Sequence, residues 1–473
     1  MQRFRGAPLE LQARGLLSLV EAGKTKGRLD EKAMIEECFH LAARAQREQP
    51  LVLIGGGITE DPDFFLQRAT AQKLDRLSLQ AWAVRLMAMR DKAKARELFA
   101  QMALPPYRRL TCRDRLLDAP DAYYEALAVV LRDTFSAKQR AEGEVAALAR
   151  TELSNTRSPA QLEPLLKQLS ALEWTRDEYA LLLPALGQSL GEMRVDDRTF
   201  TARAGTLYGI IPKSEEFALK ARAAGVAADP VALGIRQLLA AHLPVERCAD
   251  TAAPEKPPPP GVRVLPKPPH PAFEDESLPE VANYFNFKLR LPAYLPSVEL
   301  PPLEKVRMTP ARLAGAMEKK KIYWSNEREI TRLAQGLMWG GKESPLTDDE
   351  KNTAEWKRKA AEYRRAVSDY RRVEGQPAES FFLHKAGLIM ALWAQMPVAV
   401  EKSEVLADAV RFIASVDKRE VGLDLWVLGV RDMMDRARRG QADRSVPPEV
   451  LEALTQSGDQ VMTLVAEMNW NLN

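Results

Sequence analysis

Apolar and polar residues alternate with a helical period over most of this chain. Leu74, Leu77, Ala81, Val84 and Ala88 recur at steps of three and four, and beyond Arg90-Asp91 a second set follows with Ala95, Leu98, Phe99 and Met102. Residues spaced in this way share one face of a helix, so the stretch is expected to form a helical hairpin, closed by Leu104-Pro105-Pro106. Further stripes run through Met34, Ile35, Cys38, Phe39 and Ala42, through Leu162, Leu165, Leu166 and Leu169, and through Val405, Ala409, Phe412, Ile413 and Val416. Strict alternation, the mark of a half-buried strand, has no useful run; Leu51-Val52-Leu53-Ile54 is the one candidate.

Helix starts carry a second, independent signal. A Ser, Thr, Asp or Asn side chain can accept a hydrogen bond from an unpaired N–H of the first turn, and a Glu or Gln three residues on can return it. Ser136 with Gln139, Ser158 with Gln161, Thr175 with Glu178, Asn326 with Glu329 and Thr347 with Glu350 fit that box. Asp61-Pro62, Ser158-Pro159, Asp229-Pro230 and Thr309-Pro310 add a cap followed by proline, whose missing N–H costs nothing at the first helical position. The fold class expected is all-α: stacked helical hairpins, as an α-solenoid or an irregular helical array.

Proline divides the array. Of 32 prolines in 473 residues, 14 lie between Pro254 and Pro302. Proline fixes φ, lacks an N–H and pushes its predecessor into extended conformations, so this segment favours polyproline II. The expected organisation is an N-terminal helical block at 1–250, a proline-rich connector at 251–303 and a C-terminal helical block at 304–473. Tyr284, Phe285, Phe287, Leu289, Leu291, Tyr294 and Leu295 are too apolar for a solvated linker, so residues from about 278 to 303 are expected to lie on a helical block as an extended arm.

Ala93-Lys94-Ala95-Arg96-Glu97-Leu98-Phe99 resembles the second helix of tetratricopeptide-like repeats. That resemblance covers one hairpin, implies a helical-repeat fold and lacks the family's first-helix Trp, Leu-Gly and Tyr positions. Leu41-Ala42-Ala43-Arg44-Ala45-Gln46, after a short amphipathic helix, is similar to helical proteins of environmental bacteria, which often carry export signals and from which no activity carries over.

Charge, cysteine count and hydropathy narrow the function classes. With 68 basic against 65 acidic residues the net charge is +3, which gives no overall electrostatic case for nucleic acid or an anionic membrane. Cys38, Cys112 and Cys248 are too far apart to frame a disulfide scaffold or a zinc knuckle. The longest uncharged apolar stretch, Ala386 to Val400, is shorter than the roughly 20 residues that span a bilayer and reads as a buried helix. Glu10, Gln12 and Arg14 interrupt any signal-like apolar run after the basic start, so a soluble cytoplasmic protein is expected, or an exported one whose signal has been removed.

No catalytic or cofactor motif stands out, and the expectation is no metal and no cofactor. Gly336-Leu337-Met338-Trp339-Gly340-Gly341-Lys342 matches a phosphate loop, but Glu343 replaces the Mg²⁺-binding hydroxyl and the motif ends an amphipathic helix instead of following a strand. Gly23-Lys24-Thr25 also follows a helix and lacks the first glycine. Gly55-Gly56-Gly57 is read as a turn. His40, His242, His270 and His384 have no metal spacing, and Cys38 and His40, two apart, point to different sides of a helix. Cys112 could serve in a Cys-His site assembled by the fold. Asp196-Asp197, Glu274-Asp275-Glu276 and Asp348-Asp349-Glu350 could meet a hard cation, although the last simply opposes a helix dipole.

The most informative local pattern is the basic helix 351–373. Trp356, Ala360, Tyr363, Val367 and Tyr370 form a seam, flanked by Lys357, Arg358, Lys359, Arg364, Arg365, Arg371 and Arg372. Basic and aromatic residues together can bind single-stranded nucleic acid. A heptad-spaced stripe more often packs into a core, and residues 304–473 hold 27 basic and 26 acidic groups, so packing is the reading adopted. Trp356, Tyr363, Tyr370, Arg364 and Arg365 are the candidate partner-binding residues. The function expected is protein or peptide binding, or scaffolding. The alternatives are a hydrolase-like enzyme with a fold-assembled site, and nucleic-acid binding through 351–373.

Overall fold

Side chains at the helix starts supply most of the hydrogen bonds that the sequence pattern promises. The computed structural model describes residues 6–25, 30–53, 62–106, 116–194, 209–242, 346–372, 376–397, 399–439 and 445–467, with positions 108, 110, 114, 199, 330, 332–334, 336–338 and 374 between them. Among these, Ser136 with Gln139 and Thr175 with Glu178 form complete capping boxes. Thr347 and Glu350 exchange both bonds, at 2.7 and 3.4 Å. Ser158 differs: its hydroxyl accepts from Ala160 N–H at 3.1 Å, while the Gln161 side chain reaches one residue further back, to Arg157 N–H at 3.0 Å. The connector 251–303 with its apolar arm, Asp61, Asn326-Glu329 and Thr309-Pro310 lie outside the described residues.

The protein is predominantly helical. In chain order the helices are α1 (Leu9–Glu21), α2 (Glu31–Ala42), α3 (Pro62–Thr70), α4 (Arg76–Ala88), α5 (Lys92–Gln101), α6 (Asp121–Asp133) and α7 (Ala137–Ala141). There follow α8 (Glu144–Asn155), α9 (Pro159–Ser170), α10 (Arg176–Gly191), α11 (Ile210–Ala223), α12 (Asp229–His242), α13 (Asp348–Lys351) and α14 (Ala354–Asp369). The last are α15 (Ala378–Gln395), α16 (Ala399–Ser415), α17 (Lys418–Val421), α18 (Leu423–Arg439), α19 (Pro448–Thr455) and α20 (Gln460–Glu467). The expected strand is present as β1 (Leu51–Leu53). It pairs antiparallel with β2 (Leu116–Asp118), Val52 standing opposite Leu117. The apolar stretch 386–400 is not one helix. Met396 is extended, with ψ 124°, and Pro397 follows it, so α15 ends there and α16 begins at Ala399.

Two compact units emerge, each assembled from separated stretches of chain. The first takes Met1–Gly15, Gly57–Leu74 and Gly315–Asn473; the second takes Leu16–Gly56 and Asp75–Ala314. α3 shows what joins the separated stretches of the first unit. Its Ala69 is fully buried in the same core as Trp426 and Met433, and Arg68 forms a two-bond ion pair with Asp432 of α18. In the first unit α15 is central, touching α3, α14, α16, α17 and α18. Trp426, without solvent exposure, donates its indole N–H to Ile413 O at 2.9 Å.

In the second unit neighbouring helices pack in sequence: α2 on α4, α4 on α5 and α6, α6 on α9, α8 on α10, α9 on α11 and α10 on α12. The α4–α5 hairpin turns at Asp91, which caps α5 by accepting from Lys94 N–H at 3.1 Å. The α10–α12 contact is a backbone-to-backbone approach. A methyl group on Gly187 would stand 2.2 Å from Pro230 O, and one on Gly234 would stand 2.3 Å from Gly187 O. Only hydrogen at both positions allows this spacing.

Asp75 caps α4 in a buried setting. Its Oδ1 accepts from Ser78 N–H at 2.8 Å, its Oδ2 has no partner, and 2% of the residue is exposed. Burial raises its carboxyl from 3.8 to about 6, against the pull of the Ser78 hydrogen bonds and the Arg47 charge.

Two expectations follow from this packing. Gly187→Ala should force α10 and α12 apart and lower stability by about 2 kcal/mol, read as a shifted urea midpoint; an unchanged midpoint would contradict the close approach. Because the folded-state value of Asp75 is raised, the folded protein holds the extra proton, and stability should fall as pH rises from 3.8 through about 6. Asp75→Asn keeps the cap acceptor and should flatten that part of the stability profile.

Candidate functional site

The sequence seam and its basic flanks separate in space. α14 starts at Thr353, whose hydroxyl accepts from Trp356 N–H at 3.2 Å, and from there the aromatic stripe turns inward. Trp356, Tyr363 and Tyr370 are 3%, 1% and 4% exposed. Each polar tip is satisfied within the core: Trp356 Nε1–H donates to Leu337 O, Tyr363 O–H donates to Leu388 O, and Gln376 Nε2 donates to the Tyr370 hydroxyl. Rings buried in this way have no face to offer a base, so stacking on nucleic acid loses its physical footing.

Many of the basic flanks are engaged. Lys359 pairs with Glu355 at 2.8 Å, and Arg372 pairs with Glu420 and donates to Gln376 O. Arg364 is held on two sides, its Nε 2.7 Å from Asp408 and an Nη 2.8 Å from Glu404, both of α16; these bonds to carboxylates raise its already high pKa further. Arg365, on the next position, is exposed and has no carboxylate partner among the described residues.

Arg364 and Arg365 line a partly open groove of about 620 Å³ between α14, α15 and α16. Its apolar walls come from Ile389 and Leu392 of α15 and from Val405 and Phe412 of α16. The charged lining is four cations, Arg364, Arg365, Lys385 and Arg411, against two carboxylates, Asp369 and Asp408.

Lys385 was not singled out by any sequence motif. It lies inside the apolar face of α15 and is 7% exposed. Its Nζ donates to Tyr370 O at 2.8 Å and to Ser368 O at 3.1 Å, carbonyls at the end of α14 that also accept from the Arg371 guanidinium. It also stands 5.3 Å from the centre of the Phe412 ring and 5.8 Å from that of Phe381. Burial, then the Arg371 charge, pulls its ammonium below the ordinary 10.5. This lysine is a helix C-cap that forms part of the groove lining.

The other sequence candidates fall elsewhere. Cys38 is fully buried, and burial raises its thiol to about 12, which removes thiolate reactivity. His40 neighbours it in sequence but lies exposed, its ring edge-on to Phe39 at 5.6 Å. Thr25 of Gly23-Lys24-Thr25 is buried and donates to Glu31 Oε1 at 2.7 Å, a structural tie of the turn after α1. Asp349 and Glu350 sit in the single turn α13, where Glu350 completes a capping box. Cys112, Cys248, His270, Gly55-Gly56-Gly57, Asp196-Asp197, Glu274-Asp275-Glu276 and Gly340-Gly341-Lys342 lie outside the described residues. Among the described residues no three His, Cys, Asp or Glu side chains cluster to hold a metal, and no helix is long and apolar enough to cross a membrane.

Lys385→Met would remove the buried donor to the Ser368 and Tyr370 carbonyls and leave them to the Arg371 guanidinium, and we expect a loss of about 1 kcal/mol in stability. The sign of the pH dependence is also set. With the folded-state ammonium below 10.5, the unfolded chain binds more protons in the alkaline range, so stability gains a contribution as pH rises toward 10.5. Comparing unfolding curves across that range should show the contribution in the parent and not in Lys385→Met.

Comparison of the chain with protein-family models, with curated proteins and with solved structures found no match.

Proposed function

We propose that this protein binds a protein or peptide partner, and that the groove between α14, α15 and α16 receives a helical segment of it. The observation that carries the reading is the groove itself: apolar walls from two helices, a charged rim, and an opening to solvent along the surface. A helix laid into a hydrophobic groove is a recurring mode of peptide recognition, with anchors one and two turns apart. The three helices are tied to each other through Lys385 and through Arg364 with Asp408 and Glu404, so the groove is formed before a guest arrives. Preformed sites keep more of their contact energy as affinity, because little ordering is left to do on binding.

Ala361 is exposed and lines the groove, so Ala361→Trp should fill it without touching the core. Panning a random peptide library displayed on phage against the intact protein should enrich sequences whose binding is lost on Ala361→Trp. Failure to enrich any such sequence would overturn the reading.

A further inference from the structure

Building on that peptide-binding reading, we infer that the guest is an acidic amphipathic helix, its carboxylates read by Arg365 and Arg411 and its apolar residues seated against Ile389, Leu392 and Phe412. The argument rests on which charges are already spent. Four cations line the groove, and two of them serve the fold. Lys385 is consumed by the two carbonyls at the end of α14, and Arg364 by Asp408 and Glu404.

The other two are available. Arg365 has no carboxylate partner among the described residues and faces solvent. Arg411 is 76% exposed and reaches only Asp408, at 3.5 Å, an acid whose other oxygen already holds Arg364 at 2.7 Å. Each guanidinium offers a planar fork of N–H donors that matches a carboxylate. Four cations against two carboxylates leave the lining net positive, and Asp369 is its one carboxylate without an ion pair among the described residues.

Length and wall chemistry select the form of the guest. The lining runs from Ala361 to Asp369 on α14 and from Val405 to Ser415 on α16. At about 1.5 Å of rise per residue these faces are roughly 12 and 15 Å long, two to three turns of a guest helix. A guest of that length presents apolar anchors at steps of three and four to the Ile389, Leu392 and Phe412 side, and can flank them with Asp or Glu toward Arg365 and Arg411. A phosphate backbone would answer the arginines but leave the apolar wall uncovered, and the Trp356, Tyr363 and Tyr370 rings of the basic helix are in the core.

The test uses the peptide pool selected on the intact protein and blocked by Ala361→Trp. That pool should be enriched in Asp and Glu beside apolar residues three or four apart. A synthetic peptide from it should bind about tenfold more weakly to the Arg365→Glu/Arg411→Glu double variant, and also when its own acids are changed to Gln. Both arginines are exposed, so an unchanged melting temperature should accompany that loss. Binding should also weaken as NaCl is raised from about 50 mM to about 500 mM. A groove-dependent pool that is neutral or basic, or one indifferent to the double variant, would overturn the acidic-helix inference and leave the peptide-binding reading standing. If no groove-dependent pool appears, both fall.

Discussion

The groove depends on where α14 stops, and a buried ammonium from α15 ties that end to its neighbour. A helix ends with carbonyls that have no intrahelical partner, and in a core each must find one. Tyr370 leaves helical geometry, with ψ 118°, and Lys385 of α15 supplies donors to its carbonyl and to that of Ser368. The positive charge also meets the negative end of the α14 dipole, which offsets part of the cost of burying it. Phe412 of α16 lies beside the same ammonium. A single side chain therefore joins α14, α15 and α16, and the lining residues take their places from that junction.

The two units solve helix spacing by opposite means. In the second, α10 and α12 are set by the absence of side chains, since Gly187 and Gly234 bring backbone against backbone. In the first, spacing comes from large groups that fill or tie: Phe382 occupies the space a side chain on Gly429 would need, and Arg364 bridges to Asp408 and Glu404.

How much of this could be read from the sequence depended on how local the cause was. Capping boxes at Ser136, Thr175 and Thr347 were legible because donor and acceptor lie three residues apart. The buried seam Trp356, Tyr363 and Tyr370 was legible from spacing, and so were Arg364 and Arg365 as its outward neighbours. β2 was not, because Leu116-Leu117-Asp118 is too short to show alternation and exists through its pairing with β1. Lys385 was hidden inside the apolar face of α15, where a lone lysine carries no motif, and its partners lie 15 and 17 residues earlier. The groove itself joins side chains from three helices spread from 361 to 415, a coincidence in space without a pattern along the chain.

The discontinuous first unit constrains how the protein can be made. Arg68 and Asp432 pair across 364 positions, and Ala69 belongs to a core most of whose members come from the last third of the chain. During synthesis α3 leaves the ribosome long before α15 and α18 exist. Bringing such distant stretches together costs loop entropy that no local contact repays in advance, so α3 docks late. Assembly order is thereby written into the topology, with α3 waiting for the helices of the last third of the chain to be translated.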